Sequence, residues 1–493
     1  MRGKVQILLL LIPVVGCNYR KTTDIEPNIE IPQTYSEGSE AAPPTDSQAE
    51  EPISEPIRDA RWWRQLGDPT LSALIEEALL RNQSVRAGWA RVNQARYLAN
   101  QVRAARMPQI VASGDFSAAR QIFAFGEVTQ LQALGSIPVS YEVDLFARRA
   151  REHQGAKLDA EAARLDQESL AMTISAEVAE AWFDSINARI ELAVVGEQLE
   201  TDLRFLELVE LRYREGLNSA VDVHQQRQRV ASQRALLALS EAQIDLTDQR
   251  LSVLLGEAPG RPFPVEGKVL PDVGPTPDIE APASLLESRP DIKALQKRVE
   301  AEDRRVAAAV GARLPVITID FTPSYTWLRS KITSTGAITG GTPGEETPAT
   351  TAKGLTWAAG ANLSVPLFDG LAGVSAIRGQ REVLAQLMEQ YAEAILSGLV
   401  EVESSLVLER QERLRIQYLE DEFRLANVTL EATRDRYRAG LSDFLPVLTA
   451  LATRQSSELQ LVAARRQLVS YRVQLYRALG GAWPEEFGEP EDE

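Results

Sequence analysis

Between Pro138 and Pro259 the chain runs for 120 residues without a proline. Proline inside a helix removes a hydrogen bond and clashes with the preceding turn. A gap this long, rich in Ala, Leu, Glu, Arg and Gln, therefore predicts very long helices. Within it Leu158, Leu165, Met172, Ala179, Ile186 and Ala193 recur every seven residues, and Ala162, Ser169, Ala176, Phe183 and Ile190 run beside them four positions later. Such a heptad seam, built largely of small residues, predicts closely packed coiled coil. Val223, Val230, Leu237, Ile244 and Leu251 form the returning seam. A helix from about Ala147 to Tyr213 would be on the order of 100 Å long, at 1.5 Å per residue. Charges occur throughout it, so it stands in water rather than in a bilayer core.

The pattern occurs twice. "RYREGLNSAVDV" (212–223) matches "RYRAGLSDFLPV" (436–447) without a gap, and the same offset of 224 carries "LLG" (254–256) onto "ALG" (478–480). Upstream, residues 85–110 parallel 292–317, and "VDLFAR" (143–148) parallels "VPLFDG" (365–370). Each half reads as helix, strand pair, long helix, sharp Gly turn, long helix. The expected organisation is a first repeat over 61–258, with a hairpin at about 108–146 and coiled coil over 147–257. A linker over 259–284 follows, and eight prolines lie between Pro259 and Pro290. The second repeat covers 285–483, with a hairpin at about 315–368 and coiled coil over 369–480; 484–493 is an acidic tail.

The strand pairs alternate with period two. Ile137, Val139, Tyr141, Val143 and Leu145 share one face, as do Ile317, Ile319, Phe321, Pro323, Tyr325 and Trp327, and Trp357, Ala359, Ala361, Leu363, Val365 and Leu367. Segments of ~10 residues with aromatic ends fit a transmembrane β-barrel; taken singly each fits an ordinary sandwich with one wet face equally well, and the paired repeats and the cysteine behind the signal-like start favour the barrel. Two strands per half give four per chain, too few to close a barrel, and no sheet edge can stay open in lipid. Copies must share one barrel: two would supply eight strands, three would supply twelve and room for a lumen.

The only cysteine, Cys17, sits behind the most apolar run in the chain. Arg2 and Lys4, apolar Ile7–Val15 and small Gly16 have the layout of a secretory signal over 1–16. A lone thiol forms no internal disulfide, which points to another chemistry. Residues 17–60 are acidic, with six prolines from Pro27 to Pro56, and read as an extended tether. The net charge of −17 argues against nucleic acid as a partner. Only His153 and His224 occur, outside any metal-like cluster, and no phosphate loop or catalytic constellation is present, so neither an enzyme nor a metal site is expected.

In this order the motifs resemble the TolC-like outer-membrane efflux channels, lipoprotein branch (OprM or NodT type). They are "VVGC" at Cys17, "WWRQLGDPTLSALIEEAL" from Trp62, "RPDI" (289–292), the paired RYR-x-GL turns and "LYRALGGAW" (475–483). The resemblance covers roughly Trp62 to Trp483. It implies a mixed fold, all-α plus transmembrane β. Two tandem helix–hairpin–helix–helix repeats would assemble as a homotrimer, whose 12-stranded outer-membrane barrel continues into a long periplasmic helical barrel. The implied function is a passive exit duct for small molecules. Its implied partners are a periplasmic adaptor, an inner-membrane pump of the RND type and outer-membrane lipid. "VVGC" resembles a lipobox, which implies acylation of Cys17 and no other cofactor. A channel of a type I protein secretion system and a lipid-anchored coiled-coil scaffold are the alternatives.

The resemblance also assigns roles. Gly216, Leu217, Gly440 and Leu441 would form helix-turn tips that dock the adaptor. Tyr437 and Asp222 match a link that holds the periplasmic end shut, and Leu445 matches an apolar constriction. Positions that carry aspartate rings in well-known members are Pro446 and Thr449 here, and an arginine link falls on Ser442. The loop over 329–354, rich in Gly, Thr and Pro, would be extracellular.

Overall fold

The computed structural model describes residues 61–123, 126–265, 269–277, 282–334 and 348–480, together with Pro32, Thr34 and Tyr35. Cys17, most of the tether and the acidic tail lie outside the described residues. The chain opens with a 3-10 turn at Trp62–Leu66 and helix α1 (Pro69–Arg81). Asp68 caps α1 by accepting from the Thr70 amide at 2.8 Å, and Pro69 occupies the first helical position, where no amide is needed. Helix α2 (Gln83–Ala104) leads into strands β1 (Gln109–Ile110), β2 (Ser113–Phe123), β3 (Gly126–Ser136) and β4 (Val139–Val143).

The proline-free stretch forms α3 (Arg148–Arg214) and α4 (Ala220–Leu254). The second half repeats the series with α5 (Leu285–Ser288), α6 (Pro290–Gly311), β5 (Val316–Ser334), β6 (Thr350–Ser364), α7 (Ala372–Arg438) and α8 (Phe444–Leu479). Helices α3 and α7 are each 67 residues, so about 100 Å long at 1.5 Å per residue. Among the described residues no helix is long and apolar enough to cross a membrane.

The six strand segments amount to four extended strands. Gln109 faces Ser140 and Ser113 faces Ser136, so β1–β2 keeps one register against β3–β4. Likewise Ser136 faces Ser324 and Val139 faces Phe321 across the second pair. The second interruption falls at Pro138, which has no amide to give the ladder. The resulting antiparallel order is β1–β2, β3–β4, β5, β6. Among the described residues strands β2 and β6 each have one partner, which leaves both edges of the sheet open. The loop expected over 329–354 is shorter than the sequence suggested. Strand β5 runs on to Ser334 along β3, which pairs Gly126 with Ser334, and β6 begins at Thr350, paired with Ser330.

The register sorts the side chains into two faces. One holds Ile317, Ile319, Phe321, Tyr325 and Trp327, opposite Leu363, Ala361, Ala359, Leu355 and Lys353. The other holds Thr318, Asp320, Thr322, Ser324 and Thr326, opposite Asn362, Gly360, Ala358, Thr356 and Gly354. The apolar face is not covered: Phe321, Tyr325, Leu355 and Trp357 are all exposed.

Below the sheet, α2, α3, α6 and α7 run side by side; farther down the neighbours are α4, α3, α8 and α7. The largest core lies midway, around Trp62, Trp63, Trp182 and Phe183. There the Trp182 indole donates to Asp68 at 2.7 Å, and Trp62 stacks near Tyr476 at 5.5 Å. A second core gathers Tyr35, Ile292, Tyr391 and Ile395, which ties the tether to the second repeat. Arg472, buried on α8, holds the Glu409 carboxylate at 2.6 Å and donates to the Gly274 and Pro275 carbonyls, fixing the linker to the helices.

Candidate functional site

The end of the helices farthest from the sheet is built by the two repeated turns. After α3, Gly216 has φ +74° and donates to the Tyr213 carbonyl, while Leu217 donates to Arg212 at 2.8 Å. After α7, Gly440 has φ +72°, and the same two bonds run from Gly440 to Tyr437 and from Leu441 to Arg436. These are paired Schellman caps, which need a left-handed residue that glycine adopts without cost from a Cβ. The motif turns the chain so sharply that the next residue projects outward. Leu217 is 65 % exposed and Leu441 72 % exposed.

Behind the turns lies a small core of Val209, Val223, Tyr437, Phe444 and Val447, which joins both coiled coils. Tyr437 is its centre. Its ring is buried against Phe444, with centroids 5.5 Å apart, and the Arg212 guanidinium lies 4.4 Å over it. Its hydroxyl accepts from Asn218 Nδ2 at 2.7 Å, and Asn218 Oδ1 accepts from Arg212 Nε at 3.2 Å. Burial pushes the phenol pKa up, and nearby Asp222 adds to this, while the Asn218 bond and Arg212 oppose it.

The expected partner of Tyr437 is thus placed differently within the chain. Asp222 accepts from the Ser219 amide at 2.9 Å, and Ser219 Oγ accepts from the Asp222 amide, a capping box that starts α4. That carboxylate is engaged by a helix terminus, where it also meets the positive end of the dipole. Asn218 takes the tyrosine instead.

Leu445, 57 % exposed, lines a groove of about 650 Å³ between α7 and α8 together with Pro446, Thr449 and Thr453. Across it stand Leu425, Thr429 and Thr433. Each of the four threonines donates its hydroxyl to its own helix, as Thr449 does to the Leu445 carbonyl at 3.0 Å. With those hydroxyls taken up by their own helices the groove is mostly apolar, and Glu422 also lines it. Ser442 donates only to the neighbouring Asp443 carbonyl.

About 20 Å from the tip, at 1.5 Å per residue, a buried polar layer crosses three helices. Asp202 of α3 is fully buried and accepts from Arg229 of α4 at 2.9 Å and from Gln455 of α8 at 3.2 Å. Gln226 donates to the Asp202 carbonyl, and Gln233 to Gln198. Such a layer tolerates few alternative alignments, since a slip would strand a buried charge. It fixes the stagger of α3, α4 and α8 above a tip held by one tyrosine and a few apolar contacts.

A family described as Outer membrane efflux protein matches residues 74–257 and 281–481. The pyoverdine export outer membrane protein OpmQ of Pseudomonas putida is 27 % identical over 456 residues, covering 87 % of this chain and 89 % of its own. The probable outer membrane lipoprotein SilC of Salmonella typhimurium is 25 % identical, covering 96 % and 97 %. The solved structure of the outer-membrane channel OprN has a TM-score of 0.78 at 24 % identity, over 93 % of this chain and 99 % of that one.

Proposed function

Because the chain belongs to the outer membrane efflux protein family, we propose that its copies close head to tail, three to a ring, around a passage whose far tip is gated. The protein is an outer-membrane efflux protein, a passive exit duct, and the energy for transport comes from partners in the inner membrane.

The observation that carries the ring is the two-faced sheet with two open edges. From Ile317 to Trp327 the apolar face spans eleven residues, whose ten steps cover about 25 Å of membrane at 3.3 Å per residue and a tilt of about 40°. Beyond the aromatic residues that face carries Arg329, Lys331 and Lys353, which suit the headgroup region. The opposite face carries the polar residues of a lumen, including Asp115 and Asp320. Three copies bring twelve strands and an aqueous interior. The helices support the same closure. Leu239, Leu246 and Val253, seven residues apart, are exposed on α4 at one margin; Tyr418 and Val428 are exposed on α7 at the other. Detergent-solubilised protein should therefore have a mass about three times 54.3 kDa, less the removed signal. A stable monomer that inserts and conducts would contradict the closure argument.

At the tip, the Tyr437 cluster and the apolar Leu445 groove are the closing elements in this reading, with Asp222 shaping the turn. Leu217 and Leu441, held outward by Gly216 and Gly440, offer apolar contacts to a periplasmic adaptor, which in turn meets a pump of the RND type. Cys17, behind its lipobox-like sequence, carries acyl chains that fasten the tether to the inner leaflet, where two or more chains give a stable anchor. OpmQ is named for pyoverdine export; small molecules are the cargo we propose here.

A further inference from the structure

The chain carries a net charge of −17, yet the helix ends nearest the sheet expose a set of cations. Arg103 and Arg106 stand at the end of α2, Lys157 on α3, and Arg378 and Arg381 on α7; all five are exposed. Burial first, and then Arg106, Arg103 and Lys157, hold the His153 pKa below its ordinary 6.5, so these three cations gather at one place. Several carboxylates of the same level are already engaged. Arg148 and Arg149 hold Glu142 and Glu152, Arg305 holds Asp159, and the Leu371 and Gly373 amides hold Asp369. Lys157 has Glu161 at 4.0 Å. Arg103, Arg106, Arg378 and Arg381 form no ion pair among the described residues, although Glu382 is exposed beside Arg381.

Steps of seven residues show which side of the helices these cations take. Arg103 continues the row of Trp89 and Arg96, and Lys157 the row of Arg164, Ala171 and Val178. Trp89, Ala171 and Val178 pack in the core that α1 and the linker residues Phe263 and Val265 cover. Arg381 continues the row of Met388, Ile395 and Val402, and Arg378 the row of Leu399 and Leu406, in the core that Tyr35 of the tether joins. A helix, a linker and a tether laid inside a ring would fill its passage, so this side is the outside. Directly above, the apolar face of the sheet begins: Ile110, opposite Val139, is exposed, as are Leu145 and Leu367. Arg378 and Arg381 stand six and nine residues into α7, about 9 and 14 Å from its first residue at 1.5 Å per residue. Headgroups fill roughly 5–8 Å beyond the hydrocarbon, and long basic side chains turn their charges up into that layer.

We propose that these cations form a collar beneath the barrel that binds the phosphate headgroups of anionic phospholipids in the periplasm-facing leaflet. The inference rests on the ring and the membrane band proposed above, and it adds a preference for one class of lipid. Five cations per copy make about fifteen around a ring of three. Free phosphate offers the same charge, but the apolar face immediately above the collar gives acyl chains a contact that a free anion cannot use. The attraction falls off within about 8 Å at physiological salt, so it acts on the lipids that touch the barrel and not on the rest of the bilayer.

The test uses the full chain in phosphatidylcholine vesicles that contain a trace of spin-labelled phosphatidylglycerol or spin-labelled phosphatidylcholine. Electron paramagnetic resonance separates label immobilised against the protein from label that moves freely. The parent should hold phosphatidylglycerol about threefold or more over phosphatidylcholine at low salt, and added NaCl should shrink the difference. Arg103→Gln, Arg106→Gln, Arg378→Gln and Arg381→Gln combined should at least halve that ratio, and the four corresponding Arg→Lys changes should keep it. Inorganic phosphate should displace the lipid no better than chloride of equal ionic strength. Equal retention of both lipids by the parent, or an unchanged ratio in the Gln variant, would overturn the inference. So would selective displacement by phosphate, which would make the collar a site for a free anion. An immobilised fraction without lipid preference keeps the duct and removes the collar. A parent with no immobilised fraction has no barrel in the bilayer, and the duct reading fails with it.

Discussion

Tyr437→Phe is the smallest change that tests the tip. It keeps the ring against Phe444 and beneath Arg212, and removes only the hydroxyl that Asn218 holds at 2.7 Å. A neutral hydrogen bond contributes about 0.5–1.5 kcal/mol net. If three copies act together, the closed state loses about 3 kcal/mol, which moves a closed–open ratio by roughly a hundredfold. Asn218→Ala should do the same and also release the Arg212 bond. The double variant should be little worse than either single one, because both remove one shared contact. Asp222→Ala should behave otherwise. It removes the capping box of α4, worth about 1 kcal/mol of local stability, without freeing the tyrosine. The assay is single-channel current in planar bilayers. Tyr437→Phe and Asn218→Ala should enlarge or prolong the open level. Parental currents in both would mean that the Tyr437 hydroxyl does not hold the tip shut. An Asp222→Ala channel that opens while Asn218→Ala stays closed would return the tyrosine's partner to Asp222 of a neighbouring coil.

Four further outcomes are expected. Gly256→Ala should destabilise the fold by about 2–4 kcal/mol, since φ is +77° and the new Cβ would lie 2.5 Å from the Arg81 carbonyl oxygen; Gly216→Ala, with open space around it, should cost only the left-handed strain of about 1–2 kcal/mol, and comparative thermal melts would show the ordering. Arg472→Met should cost about 3–5 kcal/mol, because it leaves the Glu409 carboxylate buried without its main partner. Burial alone would raise the Glu409 pKa, but Arg472 and Arg413 outweigh it and hold the group below its ordinary 4.5, so its stabilisation is complete above that pH and drains away as the pH falls through the lowered value; Glu409→Gln should flatten this acid limb of a melting-temperature profile. Replacing Cys17 with Ser should abolish labelling by radioactive palmitate, and persistent labelling would remove the lipidation proposal.

Much of the architecture is written in one dimension. The proline gap, the heptads and the Gly turn locate α3 to within a residue at each end, because helix limits depend on near neighbours. Strand pairing was legible from alternation, except where composition misled. The Gly, Thr and Pro of 329–354 suggested a loop, yet Arg329 and Ser330 still pair across to β6. The site was harder to read. Ser219-x-x-Asp222 is a capping box that the sequence displays, and it explains why Asp222 is engaged. Asn218 gives no such signal: it meets Tyr437 across 219 residues of chain, a closeness created by two coiled coils packing. Gln198, Gln226, Gln233 and Gln455 look like solvated helix positions, and only the crossing of α3, α4 and α8 turns them inward.

The claim that organises all of this is that copies of the chain enclose water through a membrane. Purified protein added to a planar bilayer under a salt gradient tests it most directly. Discrete, equal current steps are expected, with a preference for cations set by Asp115 and Asp320 on the polar face of the sheet. A flat baseline at protein concentrations that coat the membrane would contradict it, and would describe a scaffold that sits on the bilayer instead.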